Sequence, residues 1–234
     1  MSSLYVAARV AFDGTDYCGY QYQNDVPTIQ GELEQALRAF SSFDGRVIGS
    51  GRTDTGVHAA GQVIAVEVPW SHGPAVLQQA WNAHLPDAIQ VRNVVEAPGG
   101  FHPRFSATAR TYRYTVDCYS VQSSAQETSV TLPLPLPRHS PLTERFALFE
   151  PRFLDLMAMD SAANLLLGEH DFATFGQPPQ GENTVRQIYE AKWQAVESNL
   201  LPLADLPGRR FVFTIRASAF LRRMAVSYTH LRAH

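Results

Sequence analysis

From Leu4 to Asp117 the hydrophobic period switches between two and about 3.6 in one order, and that order leaves few folds open. LYVAARVAF (4–12) reads as a strand and DGTDYCGYQYQND after it as a polar loop. Pro27 and Thr28 then open a helix in which Ile29, Leu33, Ala36, Leu37 and Phe40 recur at helical spacing, with Glu32 and Glu34 near its start. RVIGS is a short strand. QVIAVEV is another, with Val63, Ala65 and Glu67 on one face and Gln62, Ile64 and Val66 on the other. AVLQQAWNAHL is a second helix, and IQVRNVVEA and ATARTYRYTVD are further strands. The order β-α-β-β-α-β is the split βαβ or ferredoxin-like unit, usually an antiparallel sheet with helices on one face, here with one strand more.

Residues 120–151 change character. They carry five prolines, and the four at 133, 135, 137 and 141 exclude a helix there, so the segment reads as a linker or surface loop. A helix near 154–167 and the strands TVRQIYEAKWQAVES and RRFVFTIRA then suggest a second, incomplete copy of the first half. The expected organisation is therefore α+β: an N-terminal half at 1–119, a Pro-rich segment at 120–151 and a C-terminal half at 152–234.

Composition bears on partner and compartment. Cys18 and Cys118 stand alone with no CxxC, which reads as free thiols in a reducing compartment. With neither a leader nor an apolar span in the sequence, the expectation is a cytoplasmic protein without a membrane partner. A net charge of −3 argues weakly against nucleic acid, but Lys192 is the only lysine among 19 basic residues. Arginine offers a flat, bidentate fork for phosphate and base edges. The arginines also cluster, at Arg104, Arg110 and Arg113, and again at Arg209, Arg210, Arg216, Arg222 and Arg223. Arg104, Arg110 and Arg113 read either as phosphate contacts or as an exposed, solvated strand edge.

The stretch GSGRTDTGVH (49–58) sets Asp54 beside Arg52 among three glycines. Its Gly51-to-Gly56 spacing matches a phosphate-binding loop, but Val57-His58 stand where Lys and Ser or Thr are required. Read as a dinucleotide fingerprint, it has Asp54 in place of the third glycine, where an acid would repel pyrophosphate. Asp54 and His58 supply two metal ligands with no third nearby in sequence. A plain Asp turn and an ionised base or nucleophile beside a cation both remain open, and the loop alone names no reaction. Tyr112 and Tyr114 fall on one strand face, as core side chains would. For His58 and His102, phosphate contact and a satisfied buried ring are both open.

The blocks YVAARVAFDGTDYCGYQYQ, TIQGELEQAL, GRTDTGVHAAGQV, WNAHLPDAIQV, FHPRFSATARTYRY, LLGEHDFATF and TVRQI together resemble the tRNA pseudouridine synthase A family, from residue 5 to about 224. GRTDTGVHA and FHPRFSATARTYRY are the most specific. The resemblance implies two ferredoxin-like halves forming one extended antiparallel sheet with a central cleft. It implies a homodimer that uses no metal or organic cofactor and isomerises uridine in the anticodon arm of tRNA. By the same resemblance Asp54 is the catalytic carboxylate, Arg52 the cation that holds the target nucleotide out of the stack, and Tyr112 the ring that stacks on the target base; Arg110 is expected to bind substrate. After Met224 the chain departs from the family: by register Val226 replaces the arginine that the resemblance implies pairs with the aspartate, and the candidate substitutes Arg222 and Arg223 fall on another helix face. A second expectation follows, a tRNA-binding remnant impaired in catalysis, with a second half that lacks its closing elements.

Overall fold

The computed structural model describes residues 3–119, 143–150, 154–178, 181–196, 208–221 and 224. They form two units, Met1–Ala107 and Thr108–His234. No helix among the described residues is long and apolar enough to cross a membrane.

The first unit contains β1 (Ser3–Phe12), α1 (Ile29–Phe40), β2 (Ile48–Gly49), β3 (Ala59–Pro69), α2 (Gly73–His84) and β4 (Ile89–Glu96). Its strands lie in the order β2-β3-β1-β4, every pair antiparallel, which is the ferredoxin-like arrangement. Alternation along β1 buries Val6, Ala8, Val10 and Phe12, which join Ile64, Val66 and Val68 of β3 and Ile89 and Val91 of β4 in one core. α1 covers it with Ile29, Leu33, Ala36 and Leu37, and α2 with Leu77 and Trp81. Trp81 Nε1 donates to the Leu33 carbonyl at 3.0 Å, so the largest core side chain also ties the helices together.

α1 begins where Thr28, its N-cap, accepts from the Gly31 N–H, and it stops where Ser41 bonds back to the Leu37 carbonyl. In β4, Asn93 takes φ 52° and the register against β1 slips, so Val94 turns inward again after two exposed residues.

The second unit contains β5 (Arg110–Tyr119), β6 (Leu148–Glu150), α3 (Leu156–Asn164), β7 (Gly168–Asp171), β8 (Val185–Val196) and β9 (Gly208–Ala217). Its sheet runs β6-β5-β9-β8-β7. The triple β8-β9-β5, with α3 lying between β5 and β8 in sequence, repeats the plan of β2-β3-β1 with α1. Phe213, Ile215, Ala217, Ile188, Ala191, Phe172 and Met224 supply the core.

Three features differ from the sequence expectations. The break falls between Ala107 and Thr108 and not at 119, because β5 pairs with β9 along its full length and so belongs to the second sheet. Within the expected loop 120–151, Leu148–Glu150 is a strand that pairs with β5, and in parallel, so the second sheet is not wholly antiparallel. Gly168–Asp171, with no strand expected, forms the edge strand β7 on β8. The remaining expectations for 120–142, for Arg222 and Arg223, and for Val226 lie outside the described residues.

Candidate active site

Asp54 sits at the crest of residues 50–58, between β2 and β3, and its side chain is exposed. The loop is fixed through its backbone. Ser50 N–H donates to the Val63 carbonyl at 2.8 Å, and Val57 N–H closes a turn on the Asp54 carbonyl at 3.2 Å. A second loop, residues 13–23 after β1, clasps it: Tyr20 N–H donates to the Thr53 carbonyl at 3.1 Å, and Gly56 N–H to the Tyr17 carbonyl at 3.4 Å. Gln62 Nε2 adds a bond to the Gly51 carbonyl at 2.9 Å.

Glycine is required where these loops touch. Gly19 has φ +85°, and a Cβ there would stand 2.7 Å from the Thr53 oxygen. A Cβ on Gly14 would run into the Val57 carbonyl, and one on Gly49 would stand 2.7 Å from the Tyr20 ring. The Tyr20 ring is buried against the loop, and burial, followed by the Glu34 charge, pushes its phenol well above the ordinary range. Neither the Tyr20 hydroxyl nor the Thr53 hydroxyl finds a partner among the described residues.

Behind β2, Glu34 of α1 is fully buried and fully bonded. One carboxylate oxygen accepts from Gln30 Nε2 at 2.8 Å and from the Val47 N–H at 3.1 Å. The other accepts from Arg46 at 2.8 Å and Arg38 at 3.2 Å. Gln30 in turn accepts from the Tyr22 N–H at 2.9 Å. Glu34 and Gln30 thus link the clasping loop to the lead into the Asp54 loop. Sequence reading placed Glu34 only as an acid near a helix start, because nothing local reveals that its partners lie at 46 and 47.

Arg52 is exposed in the same loop, and no hydrogen bond or ion pair joins it to Asp54 among the described residues. His58 is half-buried. Its Nδ1 lies 3.1 Å from the Gly14 N–H, which a neutral ring accepts, and 3.0 Å from Asp13 Oδ1, to which a protonated ring donates. Arg104 and Arg113 are exposed. Arg110 and Tyr112 lie at the start of β5 in the second unit. Arg110 reaches the Ser218 carbonyl at 3.4 Å, and the Tyr112 ring packs edge-on to Phe220 at 4.7 Å, beside the second core.

A bare carboxylate on a rigid, glycine-lined support can attack an electrophilic carbon or take a proton, and no charged side chain needs to be displaced first. Comparison with known proteins places the chain in a family. A family profile described as tRNA pseudouridine synthase matches residues 8–106 and 162–228. The first segment includes Arg52 and Asp54, and the second runs past Met224, where the sequence was read as departing from the family. The chain is 38% identical over 220 residues to "tRNA pseudouridine synthase A" of Chloroflexus aurantiacus, covering 94% of this chain and 70% of the relative. It is 36% identical to the proteins of that name from Roseiflexus castenholzii, covering 94% and 72%, and Pseudothermotoga lettingae, covering 93% and 78%. The split βαβ sheet is consistent with these matches, which show that the chain belongs to the tRNA pseudouridine synthase family.

Proposed function

We propose that this protein converts uridine to pseudouridine in tRNA, in the anticodon stem-loop, with Asp54 as the catalytic carboxylate. The observation that carries the reading is the exposed, unpaired carboxylate of Asp54 on a loop anchored by backbone hydrogen bonds, within the segment matched by the family. In the reaction the bond between C1′ and N1 of uridine breaks, the uracil turns, and C1′ joins C5, which gives up its hydrogen as a proton. Asp54 either attacks covalently or removes the C2′ proton to leave a glycal; both routes need the carboxylate ionised and fixed. Arg52 holds the target nucleotide out of the stack through a neighbouring phosphate. Tyr112 offers a ring on which a turning base can stack, and Arg110 contacts the backbone. The working form is a cytoplasmic homodimer. The binding-remnant alternative is not favoured, since the family match continues through residue 228.

Tritium release from tRNA labelled at uridine C5 tests the reading, because joining C5 to the sugar expels that hydrogen. Asp54→Ala should lower release by about 10³-fold or more while tRNA binding persists. Full release from Asp54→Ala would overturn the assignment.

A further inference from the structure

The loop after β4 is built to hold one aromatic ring in water. Ala97 N–H donates to the Tyr5 carbonyl at 2.9 Å, and the Tyr5 hydroxyl donates to the Phe101 carbonyl at 2.9 Å, so both ends of PGGF are pinned to β1. Pro103 is buried. His102 then closes the turn on itself. Its carbonyl accepts from the Ser106 N–H at 2.8 Å, its N–H donates to Ser106 Oγ at 3.2 Å, and its Nδ1 faces the N–H groups of Arg104 and Phe105 at 3.2 and 3.4 Å.

Phe105 projects from this closed turn with 78% of its surface exposed. Its ring has the His102 imidazole 4.4 Å away, tilted by 33°, and the Arg104 guanidinium carbon 5.8 Å from its centroid. A turn bonded in this way cannot fold the ring back into the core, so the exposure is a property of the loop and not of a slack side chain. A protein-binding hot spot sits in a packed pocket ringed by contacts that exclude water. The neighbours here are a cation, an imidazole, a serine and, at 99 and 100, two glycines that leave open space. A largely exposed aromatic ring with a guanidinium close by is matched by a nucleotide, base to ring and phosphate to cation.

We infer that Phe105 is a stacking platform for an unpaired base of the tRNA, with Arg104 on an adjoining phosphate. The inference rests on tRNA being the substrate, but it concerns binding and not the Asp54 chemistry. Stacking and phosphate contact separate by salt. Stacking releases no counterions, so its loss shifts affinity equally at all salt concentrations, whereas each lost phosphate contact flattens the salt slope.

Binding of an unmodified tRNA transcript by the full chain, from 50 to 200 mM salt, gives the test. Phe105→Ala should weaken binding by about tenfold with an unchanged slope, and Phe105→Trp should restore it. Arg104→Ala should reduce the slope by about 0.7 to 0.9. Phe105 is exposed enough that the thermal melts of all three should match the parent. Wild-type affinity in Phe105→Ala, for an RNA the parent binds, overturns the inference alone. So does an altered oligomeric state in sedimentation with RNA affinity unchanged, which would make the ring a protein contact. A parent chain with no affinity for tRNA overturns the proposed substrate as well.

Discussion

Asp54 and Glu34 belong to the same unit and are held in opposite ways. Glu34 is fully buried and saturated, with two N–H donors on one oxygen and two guanidinium groups on the other. Asp54 is exposed, and no partner reaches its carboxylate among the described residues, although its backbone is pinned on both sides. A buried carboxylate with every lone pair engaged has no capacity left for chemistry and serves the fold. A bare one on an immobile backbone keeps its lone pairs for a substrate. The unit uses the first to steady the second: Glu34 and Gln30 tie residues 22 and 47, and the loops those residues lead into clasp each other around Asp54.

The contrast predicts a crossed pattern in mutants, and this is the largest effect expected. Asp54→Asn should lose about 10³-fold or more in tritium release yet melt within about 0.5 kcal/mol of the parent. Glu34→Ala should leave the Val47 N–H and Gln30 Nε2 unpaired and cost roughly 3 kcal/mol in urea unfolding, with activity falling only as far as the folded population does. An Asp54→Asn protein that was strongly destabilised would break the comparison.

A smaller effect should sharpen it at the clasp. Gly19→Ala combines a left-handed φ with a Cβ set against Thr53, and should cost about 1–3 kcal/mol and lower kcat more than it raises KM for tRNA. Gly56→Ala, at φ +77° with open space around the new methyl, should cost only about 1 kcal/mol. Equal penalties at both positions would show that contact with Thr53 contributes nothing.

The smallest effect concerns the second unit. Burial first, then the neighbouring Asp117 charge, pushes the Cys118 thiol up to about 11 from an ordinary value of 9.0. The folded chain therefore keeps a proton that the unfolded chain loses. The resulting stability is complete below about pH 9 and is lost as pH rises towards 11. At pH 8, iodoacetamide should label half-buried Cys18 well before Cys118. Equal rates would place Cys118 in contact with solvent.

Much of the first unit was legible because its elements are marked locally. The alternation in β1, the Thr28 cap with Ile29, Leu33 and Leu37 behind it, and the strand-helix-strand order all appear within short windows. The site was legible as a place: Asp54 among glycines, with Arg52 nearby. The support for that place was not. Gly14, Gly19 and Tyr20 read as parts of a polar loop, since their contacts with the Asp54 loop join distant segments and mostly run through backbone atoms, which carry no side-chain signature. Strand β6 was missed for a related reason: three residues pairing with the outer edge of β5 need no strong pattern of their own.

The sequence by itself determined the order of elements, the apolar faces and the presence of an acid in a glycine-rich turn, because each follows from the spacing of neighbouring residues. Tertiary structure alone decided which carboxylate is buried and satisfied and which is bare. It also decided that ATARTYRYTVD adds no strand to the first sheet but pairs with the central strand β9 of the second. Both outcomes depend on hydrogen bonds between segments distant in the chain, and partners of that kind meet only when the chain has folded.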